Sequence, residues 1–227
     1  MRFSKAEMSK ASKTLRAQIK NGKGYLSYLT MTDMNGKKHK LTKAEYMGLF
    51  EAQNVFILKN GRYPNYVTLN STASNPLVMD YQDNGYTCGP TSLSMAIQML
   101  FSYKSEKTCA KECGTVIGSG TSPDKLINGA KKLGYKLTKI SRNKTAVKSA
   151  LTKAEPVIAH IETGGSTKPA CLGYVNNYGH YILIYGLTSD GYYKIADPTK
   201  GIKKCKANIL DAATNGRAIY YYRVGII

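Results

Sequence analysis

The residues best suited to chemistry lie in Gln82-Asp83-Asn84-Gly85-Tyr86-Thr87-Cys88-Gly89-Pro90-Thr91. A cysteine attacks as the thiolate, and a free thiol titrates at about 8.5, too high for neutral pH. A helix N-terminus supplies the missing positive potential. Cys88 heads such a helix: from Thr87 to Phe101 the pattern is helical, with Leu93, Ala96, Ile97 and Leu100 turned inward. Gln82 lies six residues upstream, where its amide can join the Cys88 backbone N–H as an oxyanion hole. The nucleophile also needs a base. His39 sits in the basic loop Gly36 to Lys40 and reads as solvated, whereas His160 lies inside the apolar run Pro156 to Ile161. His180 opens another run, Tyr181 to Gly186, where a strand can anchor it at the mouth of a cleft. Asp197 follows the next strand and would orient the imidazole of His180.

Taken singly these residues have blander readings. A lone cysteine is usually a small buried hydrophobe, a strand histidine is usually structural, and Asp-Pro is usually a turn. Together they describe acyl transfer to a thiol.

The elements that must position them follow from capping signals and periodicity. A helix is expected over residues 4–20, capped by Ser4 with Glu7 three residues on. Residues 24–41 read as a loop or hairpin. A second helix starts at Thr42 with Glu45 and stops at Asn60-Gly61. Residues 1–70 thus form a small, basic, mainly helical domain, and the Ser/Thr/Asn/Pro-rich stretch 71–79 a linker. In residues 80–227, Pro123 opens a further helix and Ala146 to Leu151 a short one. Strands follow at Pro156–Ile161, Tyr181–Leu187, Tyr192–Ala196 and Ala218–Val224. Helices first and an antiparallel sheet later is an α+β layout.

The 33 Lys and Arg against 14 Asp and Glu give a net charge of +19. Residues 1–70 are the denser part, with 13 basic and 4 acidic residues. Such a field attracts polyanions. No long basic run or nucleic-acid motif is present, so nucleic acid is not expected as a partner. No apolar run is long enough for a membrane span, and the polar start lacks the centre of a signal peptide. The five cysteines are odd in number, and their spacing forms neither a disulfide framework nor a paired zinc signature. A reducing compartment is expected, with no metal site. The segment Gly164 to Gly179 leads directly to His180, so Tyr174, Asn176, Asn177, Tyr178 and Gly179, with Gly89, are candidate substrate contacts.

Gln82, then Cys88-Gly89-Pro90, then Gly179-His180 before an apolar strand, then Asp197-Pro198, resembles the bacteriocin-processing and related papain-like peptidases over about residues 76–200. The resemblance implies a papain-like fold and selects His180, because a histidine placed as His160 is there not catalytic. Asn60-Gly61-Arg62-Tyr63-Pro64-Asn65-Tyr66-Val67 resembles a pseudomurein-binding repeat, the wall-anchoring module of methanogenic archaea and their viruses, at about residues 42–69. Arg62, Tyr63, Pro64, Asn65 and Tyr66 become candidate wall-binding residues. The combination is similar to the viral pseudomurein endoisopeptidases. That resemblance implies cleavage of the ε-Ala–Lys isopeptide bond of the wall cross-links. It also implies help from reducing agents and from a divalent cation such as calcium, although the chemistry requires no cofactor. The expected protein is a monomer with pseudomurein as partner, held in the archaeal host cytoplasm until lysis and then at the wall. A leader-processing peptidase, an amide transferase and a non-catalytic wall-binding protein remain compatible with the same residues.

Overall fold

The computed structural model describes residues 1–164, 169–213 and 220–227. Strand β1 (Arg2–Ser4) leads into helix α1 (Lys5–Lys20), whose N-cap is Ser4, accepting from the Glu7 N–H. Glu7 does not complete a capping box: its carboxylate accepts instead from the Thr32 N–H at 2.8 Å. It thereby ties α1 to the hairpin of β2 (Tyr28–Thr32) and β3 (Lys38–Thr42). Helix α2 (Lys43–Asn60) has the full box between Thr42 and Glu45, and ends on Gly61 at φ +67°. Strand β4 (Tyr66–Thr68) returns to pair with β1.

The remainder builds a six-stranded antiparallel sheet with helices on both faces. Its elements are α3 (Cys88–Met99), α4 (Glu106–Cys113), α5 (Pro123–Lys132), β5 (Tyr135–Ile140), α6 (Lys144–Thr152) and β6 (Val157–Glu162). They continue with β7 (Gly179–Leu187), β8 (Tyr192–Asp197), β9 (Gly201–Lys206), α7 (Ala207–Ala212) and β10 (Tyr220–Ile226). The sheet order is β5-β10-β6-β7-β8-β9. Alternate residues of the central strands serve two cores. Ile158, Leu183 and Val224 face α3 and α5, while Val157, Ile182, Ile195 and Tyr221 face α6 and α7. Both faces being covered explains why β6 and β7 read as unbroken apolar runs rather than alternating ones.

The α+β layout is as expected. Of the short elements, β1, α4, β5, β9 and α7 are not anticipated from sequence, and the strand expected from Ala218 begins, among the described residues, at Tyr220. The first core runs on into residues 1–70. Phe101, two residues past the end of α3 and at φ +57°, packs inside a ring of Tyr25, Tyr46 and Phe50, the last at 4.8 Å between ring centroids. Arg16 reaches the Leu100 carbonyl and the Tyr135 hydroxyl. The stretch 71–79 has no helix or strand but is fastened at both ends. Ala73 N–H donates to the Ala44 carbonyl, and Val78 N–H to Gln98 Oε1. Gly48 allows this: a Cβ there would collide with the Ser71 carbonyl and lie 3.1 Å from Thr72 Cα. Gly48→Ala should therefore cost about 1–3 kcal/mol of stability, as overpacking against backbone does. Urea unfolding would read this as a lower midpoint at unchanged slope.

Candidate active site

Cys88 is the first residue of α3, and His180 the second of β7. They meet because Gly89 lets the helix end lie on the strand: a Cβ at Gly89 would stand 3.2 Å from Tyr181 Cδ2. Gly89 is buried, so it is a packing residue, not the substrate contact expected from sequence. The Thr87 hydroxyl is turned to the Asn84 carbonyl, and no side chain caps α3. The positive end of the helix is left to the half-buried thiol of Cys88.

His180 is buried, and its Nε2 meets Asp197 Oδ1 at 3.0 Å. That contact leaves the other ring nitrogen for the Cys88 thiol, which hydrogen-bonds the imidazole. Burial alone would lower the pKa of His180. The hydrogen bonds to Asp197 and Cys88, and the charges of both, outweigh burial and push it up to about 9. At neutral pH the ring is imidazolium, the partner a thiolate needs. Asp197 is likewise pushed up by burial, but the His180 hydrogen bond and charge hold its carboxyl below the usual range. Its Oδ1 also accepts the Thr199 and Lys200 N–H groups, at 2.9 and 3.1 Å, in the turn after β8.

Tyr174 has a different place from the one expected. It is buried, and its hydroxyl donates to both oxygens of Asp197 at 2.8 Å while standing 3.0 Å from His180 Nε2. It braces the His–Asp pair instead of offering a surface to substrate. Tyr178 stands edge-on to His180 at 6.1 Å and is exposed, as are Asn176, Asn177 and Gly179. Of these, Tyr178 is close enough to feel the charge of Cys88. The loop carrying them is anchored by the Thr163 hydroxyl, which donates to the Asn176 carbonyl. It is also tied by a disulfide from Cys171 to Cys205 on β9, with Cα atoms 5.4 Å apart. This corrects the expectation that the cysteines form no disulfide: sequence gives no hint that residues 34 apart are brought together by the sheet edge. Cys109 and Cys113 are buried and free, their thiols pushed up by burial, Cys113 to about 12, which suits inert core residues.

Gln82 sits in the turn before Cys88, pinned from three sides. Its N–H donates to the Pro198 carbonyl, its Oε1 accepts from the Thr199 hydroxyl at 3.0 Å, and its Nε2 donates to the Asn84 carbonyl at 2.7 Å. Among the described residues its second amide hydrogen is given no partner. The same turn rests on Glu106, unnoticed in sequence: its buried carboxylate accepts from the Asp83 N–H at 3.0 Å and the Thr91 hydroxyl at 2.7 Å. A Ser105 cap preceding Glu106 was the available signal.

His160 stacks on Tyr181 at 4.4 Å, one strand away from the thiol. His39 is not simply solvated, since its Nε2 pairs with Asp33 at 2.9 Å. Among the described residues no group of three or more His, Cys, Asp or Glu side chains that could hold a metal ion is found.

Fold and site together define a papain-like cysteine peptidase. A profile of the Peptidase_C39-like family matches residues 65–225, and the chain belongs to that family. The peptidase domain of Streptococcus ComA, a bifunctional ABC transporter of a quorum-sensing pathway, is similar in fold. Identity to it is 20%, over 66% of this chain and 98% of that one, with a TM-score of 0.51. A double-glycine-motif protease from an AMS/PCAT transporter, bound to its leader peptide, matches at 18% identity over 65% and 91% of the two chains, TM-score 0.46. No curated protein sequence matches. No helix among the described residues is long and apolar enough to cross a membrane.

The raised His180 pKa sets an expected pH profile. The charged ring is present below about 9 and is lost as pH rises through it, so kcat/KM should fall on an alkaline limb near 9. Asp197→Asn removes the main raising partner, and that limb should move down toward the ordinary imidazole value of about 6.5. A limb that stays in place would show that Asp197 does not hold the charge. Tyr174→Phe should lower kcat by about three- to tenfold, the worth of one hydrogen bond, with KM unchanged. A raised KM at constant kcat would restore Tyr174 to substrate contact.

Proposed function

We propose that this peptidase hydrolyses the ε-Ala–Lys isopeptide bonds of pseudomurein cross-links. Cys88 attacks the alanyl carbonyl, the oxyanion rests on the Cys88 N–H and the Gln82 amide, and His180 protonates the departing lysine amine. Water, deprotonated by His180, then releases the acyl group as a carboxylate and restores the thiol. Asp197 keeps the ring in one orientation throughout.

The observation that carries the wall reading is the string Arg62 to Tyr66, displayed on the surface of the chain that carries the thiol site. Tyr63 and Tyr66 are exposed, and three cations lie over aromatic rings there: Lys5 over Tyr63, Arg2 over Tyr66 and Arg62 over Phe56. Such a strip of rings and cations suits an acidic glycan-peptide polymer. Pro64 is buried and shapes the strip, while Asn65 is exposed on it, its carbonyl accepting from the Lys5 N–H. The monomeric state, the viral setting and release at lysis belong to the same reading.

Pseudomurein sacculi incubated with the protein should lose turbidity and gain free lysine ε-amines, and Cys88→Ala should do neither. Equal turbidity loss with both proteins would remove the thiol mechanism. Cleavage of a double-glycine leader peptide with sacculi untouched would replace the wall reading by leader processing.

A further inference from the structure

Strand β7 runs from His180 to a second feature. Seven residues on, roughly 23 Å away at about 3.3 Å per residue, Leu187 lines a cleft of about 630 Å³. The cleft lies where residues 1–75 meet the sheet. Lys23 and Lys43 contribute from one side, Lys144 and Lys148 of α6 and Lys194 of β8 from the other. Among the described residues no carboxylate lines it. The two acids next to lining residues along the chain are engaged elsewhere: Asp190, in the β7–β8 turn, by the Thr188 hydroxyl and the charge of Lys204, and Glu155 by Arg223 at 2.7 Å. The two sides are held together tightly: Gly24, at φ +68°, brings its backbone so close that a Cβ would stand 2.7 Å from the Thr152 carbonyl oxygen.

Five ammonium groups around one concavity repel each other unless an anion shares it. Among the described residues no arginine lines the cleft, so these residues lack the planar forks that favour phosphate. Tyr25 is unavailable for stacking on a base: Lys43 covers its face at 4.9 Å, and its ring packs edge-to-face with Phe101. Asn75, Ser74, Thr188 and Ser189 add neutral donors and acceptors suited to a peptide backbone. We propose that this cleft is an exosite for an extended acidic peptide strand, its glutamate-type carboxylates spaced among the five lysines. Under the wall reading, on which only the natural source of that strand rests, it holds a wall peptide while a neighbouring cross-link enters the active site.

The test uses the full chain as Cys88→Ala, with a dye-labelled deca-glutamate followed by anisotropy. The triple variant Lys23→Gln/Lys144→Gln/Lys148→Gln should weaken binding by about tenfold, a modest share per exposed ion pair. The variant Lys10→Gln/Lys13→Gln/Lys59→Gln loses the same charge from surfaces outside the cleft and should bind as its parent does. Equal weakening in the two would show diffuse attraction and overturn the exosite, as would no weakening in either. Tighter binding of a single-stranded DNA 20-mer than of deca-glutamate, lost in the first variant, would reassign the cleft to nucleic acid. In the active enzyme the first variant should retain kcat on a short soluble isopeptide. If sacculi are never cleaved while cleft-dependent deca-glutamate binding persists, the wall reading fails and the exosite stands.

Discussion

A carboxylate buried without exposure must be fully paired, and Asp197 meets that demand with four donors. An unpaired carboxylate there would cost several kcal/mol. The donors come from three pieces of chain: β7 supplies His180, the β6–β7 loop supplies Tyr174, and the turn after β8 supplies two N–H groups. Satisfying one charge thus fixes the imidazole, closes the loop over it and shapes the turn that grips Gln82 through Thr199. The geometry of the thiol site follows from keeping one anion solvated by protein.

The sheet makes this arrangement rigid. With both faces covered, β6 and β7 cannot slip by one residue without exchanging two apolar sets, so register is strongly specified. Register in turn sets His180 opposite Ile161 and places Leu183 opposite Ala196, the residue before Asp197. Helix α3 is buried around nearly its whole circumference. A helix so enclosed cannot rotate, and its first residue carries the nucleophile. Glu106 adds a second buried anion, tying the turn before Cys88 to α3, so the two carboxylates hold opposite sides of the site.

What was legible in sequence were features with local signatures. The boundaries of α1, α2 and α5 followed from Ser4, Thr42 and Ser122-Pro123, and the long apolar strands from composition. Cys88, His180 and Asp197 were readable because a nucleophile at a helix start, a histidine at a strand mouth and an acid at a strand end each leave a local trace. Long-range roles left none. The Tyr174 hydroxyl, the Glu106 carboxylate and the Cys171–Cys205 pair act across 15 to 34 residues of chain, and only the folded register shows what they face. Gly89 misled because a glycine beside a nucleophile suits substrate approach and helix-on-strand packing equally well. β9 was missed because Lys203, Lys204 and Lys206 give an edge strand the charged look of a loop, a common protection of sheet edges.

Under the proposed wall reading, the division of charge bears on how the enzyme would work on a solid substrate. Its ionic chemistry is confined to a pair with almost no exposure, where salt screens weakly. The excess of positive charge lies elsewhere, on exposed lysines of the cleft between residues 1–75 and the sheet and on the cations over Tyr63 and Tyr66. Attraction to an anionic polymer is therefore set by ionic strength, while the charge of His180 is set by buried partners and pH. A chain built this way can strengthen or relax its hold on a charged surface without altering the reacting groups, because the two properties are carried by side chains at opposite ends of β7.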